Sequence, residues 1–156
     1  MDDENAQIAA FVNPAVAKRT SELVDRGLYE DGAEEVSARY RDGGRLAEYD
    51  GYTYLLPTIV RCDKPGHPLA NTELLFPFAS VVESPQDKVL DQIGSTLVLS
   101  VITHDDEFIA RALSASNVDR LNVGAVPTVK VSWDQPHEGN LFEHLYKQRA
   151  LQLSRA

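Results

Sequence analysis

The sequence predicts an α/β fold, a three-layer parallel sheet with a βαβαβ core. Three observations between residues 76 and 126 predict it: short β-branched runs alternate with amphipathic ones, each helical run carries its own start and stop signals, and the connections are short. "FASVV" is a buried-strand pattern, and "SPQDKVLDQIG" after it is a helix. Ser84 caps that helix, Pro85 suits its first position, Asp87 completes a capping-box-like pattern and Gly94 stops it, with Val89, Leu90 and Ile93 facing inward. "TLVLSVIT" is a second strand. "HDDEFIARALSAS" is a second helix, with acids at its positive end and Phe108, Ile109, Ala112 and Leu113 on one face. "DRLNVGAV" is a third strand, so two right-handed crossovers join three parallel strands.

Upstream, "NPAVAKRTSELVDRGL" is a helix: Asn13 caps, Pro14 takes the first position, and Val16, Leu23, Val24 and Leu28 form a partial apolar stripe that Gly27 and Gly32 end. "EEVSARY" reads as a short strand and "RDGGRLAEYDG" as turn-rich. "YTYLLPTIVRC" is extended and apolar, but Pro57 demotes it to an edge or irregular strand, and "DKPGHP" is a loop. "PTVKVSW" reads as a further strand, and "DQPHEGNLFEHLYKQRALQL" as a short helix from about Leu141. There is no internal repeat, and the whole of 1–156 reads as a single domain.

Composition narrows the function. The net charge of −9, with Lys and Arg scattered, argues against a phosphate backbone as partner. No apolar run reaches the ~20 residues that span a bilayer, and the acidic start "MDDENAQIAAF" is unlike a signal peptide. One cysteine, Cys62, excludes an internal disulfide and a multi-cysteine metal site, and the whole suits a cytoplasmic protein. In open parallel sheets ligands sit at the carboxyl ends of strands, here Glu83–Ser84, Thr103–His104 and Asn122–Gly124. His104 beside Asp105 and Asp106 is either a poised base or a histidine among capping acids, and the second outweighs the first. Gly124 either lets a backbone approach a ligand or ends a strand, and the second is again favoured. Cys62 lacks a lysine cluster or helix N-terminus to activate it, which favours a structural role. "HEGNLFEH" misses the spacing of a zinc helix, and "RDGG" and "NVGA" miss that of a phosphate loop, so no metal site and no dinucleotide fingerprint is expected. "NTELLFPFASVVE" places the Glu73 carboxylate ahead of an apolar run broken by Pro77, either as a strand-edge acid or as a carboxylate held against an apolar wall.

Several segments together resemble the later part of the catalytic domain of the aldehyde dehydrogenase superfamily. "VNPAVAKRTSELVD" is similar to the helix after its "gP-x-x-n" segment, "YTYLLPTIVRC" to its "gyf-x-x-P-T-v" strand, and "HPLANTELLFPFASVV" to its "E-E-x-F-G-P-v" strand entry. "STLVLSVITHDDEFIARAL" resembles the segment in which a "yGLaa-v-t" strand precedes a short helix, and "DRLNVG" its "G-x-v-x-v-N" strand. The order holds along about residues 8 to 126. The resemblance implies that Glu73 hydrogen-bonds the nicotinamide ribose of NAD or NADP, that Pro77 is the motif's proline, and that Phe76 and the apolar residues around it wall the nicotinamide end. The family's phenylalanine falls on Leu75 and its glycine on Phe76, and the tail lacks its "P-F-G-G" and "S-G-x-G" glycines. The catalytic cysteine, general-base glutamate, oxyanion-hole asparagine and Rossmann domain of the family lie upstream of any segment matched here. The resemblance therefore implies a piece of an NAD(P)-dependent aldehyde dehydrogenase with no catalytic residue of its own, inactive and binding no cofactor alone, and either partnered by the missing N-terminal half or self-associating. The alternative is a non-enzymatic α/β module that binds a protein partner, and a weaker third reading is an unrelated hydrolase or transferase using His104 or Cys62.

Overall fold

A computed structural model describes residues 7–130 and 150–154, in two compact units, Met1–Ser84 and Pro85–Ala156. Both are α/β and both contain parallel strands.

In the first unit, helix α1 (Pro14–Leu28) starts as its sequence dictates: the Asn13 side chain accepts the Ala15 N–H at 2.9 Å and Pro14 takes the first position. Its buried face is Ala17, Val24 and Gly27, turned away from the expected Val16 and Leu23, which stay exposed. Gly27 lies inside the helix instead of ending it, because the Leu69 side chain fills the space a Cβ would need.

Strand β1 (Ala33–Glu35) gives way to a 3-10 turn, Val36–Tyr40, where a strand was expected. The Ser37 hydroxyl takes the Ile59 N–H at 3.0 Å and bonds Glu35 at 3.2 Å, so side-chain oxygen replaces the next step of the backbone ladder. The turn-rich stretch is a two-residue hairpin, β2 (Leu46–Tyr49) with β3 (Tyr52–Leu55). Asp50 and Gly51, at φ 49° and 76°, give the left-handed pair that matches strand twist.

Pro57 does not make one irregular strand; it cuts the run into β3 and β4 (Thr58–Cys62), which join different sheets. Far from being an edge, β4 is central, antiparallel to β1 and parallel to β5 (Phe78–Val82). In register, Thr58, Val60 and Cys62 share a face with Phe78, Ser80 and Val82. That face and α1 enclose a core of Val24, Val60, Cys62 and Leu69, flanked by Leu28, Leu74, Phe76 and Phe78. Buried Arg45 ties the elements together: it pairs with Asp25 at 2.6 Å and with Glu35, which also holds Arg41, and donates to the Ser21 carbonyl at 3.1 Å.

The second unit runs α2 (Gln86–Gln92), β6 (Thr96–Val101), α3 (Asp106–Ser114), β7 (Val118–Val123) and β8 (Ala150–Leu153). Pro85 occupies the cap position and the helix starts at Gln86, one residue later than expected. The sheet β6-β7-β8 is all parallel, with β7 central, and its core is Leu90, Val101, Phe108, Ala112, Val118, Leu121 and Val123. The crossover β6–α3–β7 is as expected. The full βαβαβ run in one sheet is not formed, because β5 pairs with β4, whose alternating buried row matches its own. Ala150–Leu153 is a strand and not a helix end, with half-buried Leu151 packed on the core. The expected helix from Leu141, the "HEGNLFEH" histidines and the last part of "PTVKVSW" lie outside the described residues; Pro127–Lys130 forms a turn, closed at 3.0 Å.

Candidate functional site

From Thr72 to Val82 exposure alternates without a break, although the chain bends at Leu75–Pro77. Thr72, Leu74, Phe76, Phe78, Ser80 and Val82 are half-buried, whereas Glu73, Leu75, Pro77, Ala79 and Val81 are exposed. Glu73 and Phe76, the two residues expected at a cofactor, therefore lie on opposite rows. Glu73 faces outward, and among the described residues it has no hydrogen-bond or ion-pair partner. Phe76 faces inward, its ring 5.8 Å from that of Phe78 at 47° and packed against the Val24–Val60–Leu69 core. The apolar side chains beside Glu73 on the open side are Leu75, 92% exposed, and Pro77.

That open row continues onto the sheet. Ala79 and Val81 stand in register with Ile59 and Arg61 of β4, and all four are exposed. One face of the parallel pair β4–β5 thus carries α1 and the core, while the other shows Ile59, Ala79 and Val81 to solvent, flanked by Arg61 and Glu73.

Cys62 ends β4 fully buried, with Sγ 3.7 Å from Nδ1 of buried His67. The pair looks like a nucleophile and base, but Nδ1 accepts the Leu69 N–H at 3.1 Å and so caps the 3-10 turn Pro68–Asn71. Burial, with the Asp63 carboxylate adding to it, pushes the Cys62 thiol up, so it stays protonated at neutral pH. The geometry gives Cys62 a packing role. His67, which sequence reading left inside a loop, is recognisable in retrospect as the residue before Pro68 at a turn's start.

His104 is exposed ahead of α3, and the cap is its neighbour Asp105. The Asp105 carboxylate accepts the Glu107 and Phe108 N–H groups at 3.0 and 3.1 Å. The Phe108 bond first, then Gln86, the Glu107 amide and Arg111, hold its carboxyl below the usual carboxylate range. Because the folded-state acid is the stronger, the cap stabilises in full above the unfolded pKa of about 3.9 and is lost as pH falls through the lower folded value. Asp105→Ala is expected to lower stability at neutral pH and to flatten the acid limb of a stability-versus-pH curve; an unchanged limb would show that Asp105 does not govern it.

Gly124 ends β7 at φ 90°, with its N–H on the Val101 carbonyl at 2.8 Å. A Cβ there would lie 2.8 Å from the Ser154 carbonyl oxygen, so the backbone approaching closely is the chain's own. Just before it, β7 carries two fully buried polar residues that sequence reading did not single out as a pair, Arg120 and Asn122. The signal was present: in "VDRLNV" they alternate with Leu121 and Val123, which marks a second, polar buried face.

Among the described residues no group of three His, Cys, Asp or Glu side chains can hold a metal ion, and no helix is long and apolar enough to cross a membrane. Fold and site together define an α/β protein with parallel strand pairs, one sheet of which has an apolar face open to solvent. No known protein family matches the chain, and no curated protein does.

Proposed function

We propose that this chain is the later part of the catalytic domain of an NAD(P)-dependent aldehyde dehydrogenase, inactive alone and working with an N-terminal half that carries the nucleophile and the Rossmann domain. The observation that supports this reading best is the open face of β4–β5. Parallel strands are normally covered on both sides, yet Ile59, Ala79 and Val81 are exposed, and among the described residues of their own unit no element lies over them. A second helical layer supplied by the missing half would complete a three-layer sheet and bury this face. The collinear resemblance along residues 8 to 126 supports the choice of this family.

Glu73 suits a ribose: an exposed, unpartnered carboxylate accepts from both vicinal hydroxyls at once. Leu75 and Pro77 form the apolar side of that position, and Phe76 supports it from beneath by packing on Phe78. When bound, the cofactor supplies the hydride acceptor. The buried, protonated Cys62 takes no part in the chemistry. A cytoplasmic setting goes with this reading.

The test is co-expression with a segment bearing a family cysteine and nucleotide-binding domain, assayed for reduced cofactor over a panel of aldehydes. Activity is expected only with both pieces, and Glu73→Gln should raise the cofactor KM roughly tenfold by weakening a charge-assisted bond. A stable complex without activity would favour the second reading, a non-enzymatic module that uses the same open face for a protein partner. No complex and no activity would remove both.

A further inference from the structure

The polar face of the β6-β7-β8 sheet carries charge and hydrogen-bonding capacity that the described residues do not use. Arg120 and Asn122 are fully buried, two residues apart on the central strand, with side chains on the side opposite Leu121 and Val123. Asn122 aligns with Ser100 of β6 and Gln152 of β8.

Their bonds are only partly made. Arg120 Nη2 donates to the Gln152 side-chain oxygen at 2.8 Å and to the Lys130 carbonyl. Among the described residues its Nε and Nη1 have no partner, which leaves three N–H donors. Asn122 donates from Nδ2 to the Ser100 hydroxyl at 3.3 Å, while its Oδ1 has no partner among the described residues. Among the described residues no carboxylate pairs with Arg120. A buried guanidinium whose partners among the described residues are neutral oxygens is in an unfavourable arrangement, and one anion offsets it. Buried Arg45, by contrast, has both Asp25 and Glu35.

The unmatched groups specify the ligand. One guanidinium calls for a single negative charge, and its N–H donors suit carboxylate oxygens. Asn122 Oδ1 is an acceptor, so it repels a second anionic oxygen and calls for a donor close to the carboxylate. We infer that Arg120 and Asn122 on the polar face of β7, with Gln152 orienting the guanidinium, form a binding site for a carboxylate that bears a neighbouring hydroxyl. The carboxylate lies on Arg120 and the hydroxyl donates to Asn122, two residues apart on one face, about 6.6 Å along the strand. The inference does not depend on the proposed enzymatic role.

The test is titration of the full chain with sodium glycolate at constant ionic strength, with acetate and chloride as controls, followed by thermal unfolding and by NMR of the Arg120 Nε–H. Glycolate is expected to raise the unfolding temperature saturably and to shift the Nε–H signal. Acetate should bind roughly tenfold more weakly, for want of the bond to Asn122. Arg120→Met should abolish the effect, and Asn122→Leu should make glycolate and acetate equivalent. The NMR shift in the unmodified chain keeps the test decisive if either variant fails to fold. No saturable shift in the unmodified chain, or stabilisation that survives Arg120→Met, overturns the inference. Equal binding of acetate and glycolate overturns the role of Asn122. Tight capture of an Asp- or Glu-bearing peptide in place of glycolate would overturn the small-molecule assignment and make the site a protein contact.

Discussion

Replacing Arg45 with methionine is expected to destabilise the unit Met1–Ser84 by about 3–5 kcal/mol, the usual range for breaking a buried ion pair from one side. Arg45 donates to the Ser21 hydroxyl and carbonyl and to Asp25 on α1, and to Glu35 at the end of β1, so one guanidinium joins helix, sheet and hairpin. Methionine fills much of the volume but leaves the buried Glu35 carboxylate with Arg41 as its remaining cation. Arg45→Lys should recover little, because a point charge cannot bridge two acids as a planar fork does. The control is Arg39→Ala: the Arg39–Glu34 pair is more than half exposed and is expected to contribute roughly 0–1 kcal/mol. Urea unfolding of the three variants checks the ranking. Equal losses for Arg45→Met and Arg39→Ala would show that burial is not what gives Arg45 its weight.

Leu121→Ala is expected to cost about 2–5 kcal/mol in the other unit. Leu121 is fully buried on the central strand, with β6 and β8 on either side and α3 over it. A strand centre has little freedom to collapse into the space left, so the cavity term adds to the lost transfer energy. Amide exchange should speed up along β6 and β7. A loss below about 1 kcal/mol would mean that the core can close around the vacated volume.

Elements with local signals were legible in the sequence. Asn13–Pro14 starts α1 and Asp105 caps α3 because both devices act within three residues of themselves. Strands β5, β6 and β7 were legible from β-branched runs between clear breaks. Partnership was not. That β5 takes β4 and leaves β6 to β7 depends on matching buried rows in distant segments, which no single window displays. Pro57 is legible as a breaker, but whether a proline bends one strand or separates two is decided by what accepts the freed chain, here the Arg45 carbonyl for Leu56 and the Pro77 carbonyl for Thr58. The Asp50–Gly51 dipeptide carries the chemistry of a two-residue hairpin turn, a more specific signal than the turn-rich composition around it. At the candidate site, Glu73 could be singled out as a carboxylate before an apolar run, but which row it occupies is set by the register of β5, and that register puts Phe76 on the other side. The burial of Arg120 is not legible in the sequence, because an arginine in a strand reads as solvent-facing until both faces of the sheet are known.

The place of β5 at the edge of its sheet has a consequence for how the chain behaves in concentrated solution. Among the described strands β5 pairs on one side only, and Phe78–Val82 contains no charge and no proline. A short apolar β segment with free backbone groups is a template for cross-strand aggregation between copies. Pro77, which removes one N–H just ahead of it, and Glu83, which sets a charge just behind it, act as gatekeepers at its two ends.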